Sequence, residues 1–181
     1  MARRADAGAA IAAFDPSGLS FGEAGREDWP EIWAIFRSVV SAGDTYPYPA
    51  DIGEGDAFSL WMKLEAEREA TFIARSADRT VATAYVKVNG VGLSDHIANA
   101  GWMVDPEWQG RGIGRAFAGY VIDRARDFGY QAMQFNSVVA TNTAAIALWE
   151  SLGFEIVGTV PDAFRHATEG LVSVHVMYRR L

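Results

Sequence analysis

The stretch Val104–Phe117, VDPEWQGRGIGRAF, decides the reading of this chain. It runs from the end of an apolar strand pattern, through a break at Asp105-Pro106, into a glycine-rich loop and then an amphipathic helix. Gly110, Gly112 and Gly114 let backbone approach a ligand closely, and the helix beginning near Ile113 offers free N–H groups and a positive dipole end. Arg111 and Arg115 add charge-assisted donors. Physically this is a pyrophosphate cradle. A nucleotide P-loop would need Lys and then Ser or Thr after its last glycine, whereas Arg115-Ala116 follow Gly114. A dinucleotide fingerprint would need its third glycine at position 115, inside a first βαβ unit. The residues alone also fit a glycine turn that merely starts a helix.

Outward from that stretch the chain reads as α/β. Upstream, Leu19 to Ala24 suits a short strand, and Ile32, Trp33, Ile35, Phe36, Val39 and Val40 recur at helical spacing behind Asp28 and Pro30. Residues 41–55, with GDTYPYPADIGEG, form a loop, and Phe58, Leu60, Trp61 and Leu64 suit a second helix. Thr71 to Arg75, Thr80 to Val88 and Ile97 to Val104 read as a β-meander. Downstream, Ile113, Phe117, Val121, Ala125 and Phe128 make one helical stripe closed by Gly129. Ala132 to Val139 reads as a strand, Thr141 or Asn142 caps a helix ending at Gly153, and Glu155 to Val160 is another strand. PDAFRH, residues 161–166, reads as a loop. Leu171 to Tyr178 alternates as a half-buried last strand, with Val172, Val174, Val176 and Tyr178 on one face. Strands in the middle with helices on both faces follow.

The 181 residues fit one domain, placed at 18–181, after a poorly ordered tail over residues 1–17. A net charge of -7 argues against nucleic acid or an anionic membrane as partner. With no cysteine and three histidines lacking ligand spacing, thiolate chemistry is excluded and no metal is expected. A cytoplasmic location is the plain expectation.

Gln109-Gly110-Arg111-Gly112-Ile113-Gly114 and, downstream, Asn142–Phe154 (NTAAIALWESLGF) resemble, in order and spacing, the two signatures of the GCN5-related N-acetyltransferase superfamily. The resemblance covers residues 19–181. It implies a central mixed, twisted sheet whose two middle strands, ending at Val104 and Val139, splay into a V. It further implies acetyl-CoA as cosubstrate, its pantetheine arm pairing with backbone at Met103 and Val104. The pyrophosphate would lie on Gln109, Gly110, Arg111, Gly112, Ile113, Gly114 and Arg115, with Asn142, Ala145 and Trp149 flanking the arm. Met103, with Val104, would polarise the thioester carbonyl through backbone amides.

Two positions depart from the family pattern. Asn99 stands where many members carry a carboxylate base, and Leu148-Trp149 replaces a Leu-Tyr pair whose tyrosine serves as acid. The amine is therefore expected to bind deprotonated or to lose its proton through water. HIANAGWMVDPEWQGRGIGR, FNSVVATN and LWESLGF further resemble the yeast acetyltransferases of proline analogues such as azetidine-2-carboxylate. That likeness implies acceptor contacts from Asn99 and Asn136. Tyr46 and Tyr48, in the loop where the family binds acceptors, join them as substrate-binding candidates. The expected enzyme moves acetyl onto a small amine in a ternary complex. Its rivals are an acetyltransferase of a protein or peptide amine and a non-catalytic acyl-CoA sensor. Homodimerisation is expected, with residues 170–181 as the candidate interface.

Overall fold

Each amphipathic stripe finds a sheet face to cover. The computed structural model describes residues 18–64 and 66–181, and the expected tail over residues 1–17 lies outside them. In chain order come β1 (Leu19–Glu23), α1 (Trp29–Ser41), α2 (Glu54–Trp61), β2 (Ala70–Ser76), β3 (Arg79–Val88) and β4 (Ile97–Val104). There follow α3 (Ile113–Asp127), β5 (Ala132–Val139), α4 (Thr143–Ser151), β6 (Glu155–His166) and β7 (Gly170–Arg180). The strands form one seven-stranded sheet in the order β1-β2-β3-β4-β5-β7-β6. Its pairs are antiparallel except β4–β5, whose parallel register is the consequence of the α3 crossover.

The α1 and α2 face buries Ile32, Phe36 and Trp61 against Ile73, Tyr85 and Met103. The α3 and α4 face buries Phe117, Val121 and Trp149 against Phe72, Ala84 and Phe135. Ile113, Phe117, Val121 and Ala125 of the anticipated stripe are all buried, and each large side chain contributes roughly 1.5–3 kcal/mol. Gly129, at φ +82°, ends the α3 region as expected. Among the described residues no helix is long and apolar enough to cross a membrane.

The central pair does not stay paired. β4 and β5 match only at Ile97↔Ala132, Ala98↔Met133 and Asn99↔Gln134. Beyond Asn99, β4 follows β3 as far as Val104↔Ala82, while β5 follows β7 to Val139↔Val174. A register shift between Phe135 and Val138 turns β5 away, as bulges do. The anticipated V is this opening.

Two local expectations are corrected. The PDAFRH segment is the outer half of β6, a twelve-residue edge strand, and not a loop. Its Pro161 and Asp162 mimic a turn, but they sit in an irregularity between Val160 and Phe164, with Asp162 at φ +52°. An edge strand tolerates proline at such a place because the missing N–H has no ladder bond to lose. In β7 the buried residues are Val174 and Met177, one from each face of the expected alternation. The β5 bulge opposite exchanges the covered face between them.

Candidate active site

The glycine-rich loop leaves β4 through a single turn at Pro106–Trp108, where Asp105 accepts from the Glu107 N–H. Gly110 and Gly112 have φ of +73° and +79°, and Gly112 caps α3 in that left-handed conformation. Only glycine takes it without strain, and it turns the first N–H groups of α3 outward. A groove of about 480 Å³ runs along this loop. Gln109, Gly110, Gly112, Ile113, Gly114 and Arg115 line one side of it, and Asn142, Ala145 and Trp149 line the other. The Asn142 side chain accepts from the Ala145 N–H at 3.1 Å, so it caps α4 while facing the groove. Arg115 reaches the Ser151 hydroxyl at 2.7 Å. Arg111 is outside the groove lining: it bonds the Glu107 carbonyl and lies 4.8 Å from the Trp108 ring.

Backbone direction in the V follows from two bonds. The Asp105 N–H reaches the Val81 carbonyl and the Asn89 N–H reaches the Ile97 carbonyl. In an antiparallel ladder alternate residues share one side, so residues 97, 99, 101, 103 and 105 send their N–H and C=O to β3. Met103 therefore engages Thr83 through its backbone and is not the amide donor expected of it. Trp102 and Val104 instead face the V. The Trp102 carbonyl already accepts from the Tyr46 hydroxyl at 2.7 Å, which fixes the loop after α1 across the opening.

A second cavity, of about 240 Å³, meets the groove in the V. Thr45, Tyr46, Trp102, Asn142, Ala145 and Trp149 line both. Its further walls include Tyr48, Tyr85, Asn99, Asn136 and Phe135, and no charged side chain contributes. Asn99 is 7% exposed and sits at the vertex, its Nδ2 donating to the Gln134 carbonyl at 3.0 Å and its Oδ1 accepting from Tyr85 at 3.3 Å. Asn136 is exposed, donates to Asn89 at 2.7 Å and accepts from Gln134 at 2.8 Å. Tyr85, Thr45 and Trp102 were not singled out from the sequence. Gly101 makes room for the first, since a Cβ there would lie 2.8 Å from the Tyr85 ring.

The acetyltransferase (GNAT) family model matches residues 29–154, more than half of the chain. The chain belongs to this family. It is an N-acetyltransferase, and acetyl-CoA is its donor substrate. N-acetyltransferase aca1 of Schizosaccharomyces pombe is 30% identical over 151 residues, which are 76% of this chain and 72% of that one. A GCN5-related N-acetyltransferase structure from Kribbella flavida is 44% identical, covers 92% of this chain and 100% of its own, and superposes with a TM-score of 0.88. A GNAT phosphinothricin acetyltransferase from Sinorhizobium meliloti, solved with AcCoA, shares the fold at 19% identity. That likeness has a TM-score of 0.81 over 91% of this chain and 89% of that one.

The small cavity across the V holds three phenols and no carboxylate. Burial pushes Tyr46 well above the ordinary tyrosine range, and Tyr48 and Tyr85 upward as well. All three stay protonated at neutral pH and serve as hydrogen-bond donors, not bases. His166, at the hairpin tip, has its Nδ1 facing the N–H of Thr168 and of Glu169, and with Asp44 and Glu169 it lines a neighbouring cavity that also touches Thr45, Gln109 and Asn142. Among the described residues no three His, Cys, Asp or Glu side chains cluster to hold a metal.

Proposed function

We propose that this enzyme moves the acetyl group onto the uncharged amine of a small molecule, by direct attack in a ternary complex. The observation that carries the reading is the charge-free lining of the small cavity across the V. An ammonium entering it would lose hydration with no carboxylate in return, so the neutral amine is the form that binds. Gln109 to Gly114, with Arg115, hold the pyrophosphate through N–H groups and one guanidinium, and Asn142, Ala145 and Trp149 flank the arm. The Trp102 and Val104 N–H groups point where the thioester carbonyl would be polarised. Acetyl-CoA supplies the activated acyl group, and the chain's own residues bind, orient and exclude water.

Within that class we favour an amino or imino acid such as a proline analogue. The acceptor would lie among Tyr46, Tyr48, Asn99 and Asn136, with Thr45 and Tyr85 beside them. An amide oxygen accepts two hydrogen bonds, so Asn99 Oδ1 keeps capacity beyond Tyr85. In the same reading the enzyme is a homodimer through the β6–β7 hairpin, which leaves Val157 58% and Leu171 52% exposed. Light scattering that finds a monomer at micromolar concentration removes that part.

The test is thiol release from acetyl-CoA against an amine panel, free of background because the protein has no cysteine. It spans imino acids, primary amino acids, polyamines and basic peptides. Turnover concentrated on small amino or imino acids supports the reading. Faster turnover on a polycationic peptide overturns it.

A further inference from the structure

Three buried side-chain polar atoms among the described residues have no hydrogen-bond partner: Thr45 Oγ1, Thr80 Oγ1 and Trp102 Nε1. Native interiors hold few such orphans, and each calls for a reason. Two of the three, Thr45 and Trp102, line both cavities at the V. Trp102 is the more telling of the two because an indole N–H can only donate. A buried donor with nothing to donate to destabilises the fold.

The two faces of β4 define what this donor meets. Asn99 and Met103 carry their side chains to the α1 and α2 face, where the missing Cβ of Gly101 leaves room for Tyr85 and Tyr46. Trp102 alternates with them and points to the α4 face, its ring 4.8 Å from Trp149 and 5.4 Å from Phe135. An amine approaching from the Asn99 face forms its C–N bond on one side of the acyl plane. The carbonyl π pair moves onto oxygen as that bond forms, and when it returns the C–S bond breaks with its electron pair leaving on sulfur, displaced away from the nitrogen and so toward the α4 face. The nitrogen gives up its proton to solvent, and the sulfur later takes one from solvent.

We propose that the Trp102 indole N–H is a catalytic hydrogen-bond donor to the departing sulfur. It keeps its own proton throughout, since indole is no acid near neutral pH. Trp102 thereby supplies charge stabilisation at the thiolate on the same wall of the V where Trp149 has no phenol to offer. The aromatic contacts with Trp149 and Phe135 hold the ring in place, so the donor is oriented before reaction.

The inference rests on acetyl-CoA as donor and is independent of which amine accepts, so its binding test needs no acceptor. The protein labelled with ¹⁵N at its six tryptophan indoles is titrated with CoA, acetyl-CoA and desulfo-CoA, and Trp102→Phe assigns the resonance. The Trp102 indole signal is expected to move with the two sulfur-bearing ligands and to stay with desulfo-CoA. Trp102→Phe is expected to lower kcat about 10- to 100-fold while leaving desulfo-CoA affinity unchanged. Equal movement with all three ligands, no movement with CoA, or an unchanged kcat in Trp102→Phe overturns the proposal. Should that variant fail to fold, Trp102→Tyr gives the assignment and the wild-type titration decides.

Discussion

The cofactor groove and the acceptor cavity share the open end of the β4–β5 gap, yet they are made of different material. The groove is backbone: N–H groups aimed by the positive φ of Gly110 and Gly112, a helix terminus, and one strand edge left unpaired by the splay. The cavity is side chain: phenols, amides and indoles that arrive from residues 45–48, β3, β4, β5 and α4. A backbone site binds whatever carries a pyrophosphate and leaves little room for variation. A side-chain site can be rebuilt without touching the fold. The difference teaches that, in the proposed reading, acetyl-CoA would be held by the architecture and the acceptor by half a dozen replaceable side chains.

That contrast can be broken first at Gly112. Forcing a β-branched residue into its left-handed conformation costs about 1–3 kcal/mol, so Gly112→Val is expected to weaken acetyl-CoA binding about 10- to 100-fold by calorimetry. Unchanged affinity would mean that the loop does not hold the cofactor. Next in size comes Asn99→Ala, which strands the Gln134 carbonyl and the Tyr85 hydroxyl. The melting temperature should fall by about 2–10 °C and acceptor kcat/KM about tenfold, with acetyl-CoA affinity within about twofold. A loss of acetyl-CoA affinity as large as the acceptor loss would merge the two regions.

Within the groove, the two arginines should separate. Arg115→Ala is expected to raise the acetyl-CoA Kd about 3- to 10-fold, and Arg111→Ala, whose guanidinium stacks on Trp108, by less than about twofold. The reverse order would return the pyrophosphate to Arg111. The smallest effect is on alkaline stability. The raised folded-state pKa values of Tyr46, Tyr48 and Tyr85 give a contribution fully present below about pH 10, where unfolded tyrosine titrates. It is lost as pH rises from there through the folded-state values. A triple Tyr→Phe variant should therefore show a flatter decline in denaturant midpoint above pH 10 than the wild type.

Legibility in the sequence followed the same division. β4 and β5 were readable to the residue and the α3 stripe as far as Ala125, because periodicity and glycine placement are local; Phe128 instead caps the helix and is only partly buried. The motif's fixed spacing names the loop residues that line the groove, save Arg111, which lies outside the lining. The acceptor wall was half legible. Tyr46, Tyr48, Asn99 and Asn136 do come together, but Thr45, Tyr85 and Trp102 look in the sequence like loop and core residues. Met103 was misassigned because hydrogen-bond parity along β4 depends on its register with β3, which no spacing in the chain reveals. Pro161-Asp162 read as a turn because an irregular edge strand and a loop use the same residues.

The most direct test of the neutral-amine pocket is the pH dependence of acceptor kcat/KM for two matched amines, with pKa values of about 8 and about 10. With no side chain in the cavity titrating near neutrality, the rise in log kcat/KM should bend at each amine's own pKa, two units apart. A common bend near neutral pH for both acceptors would reveal a general base in the enzyme and contradict this account.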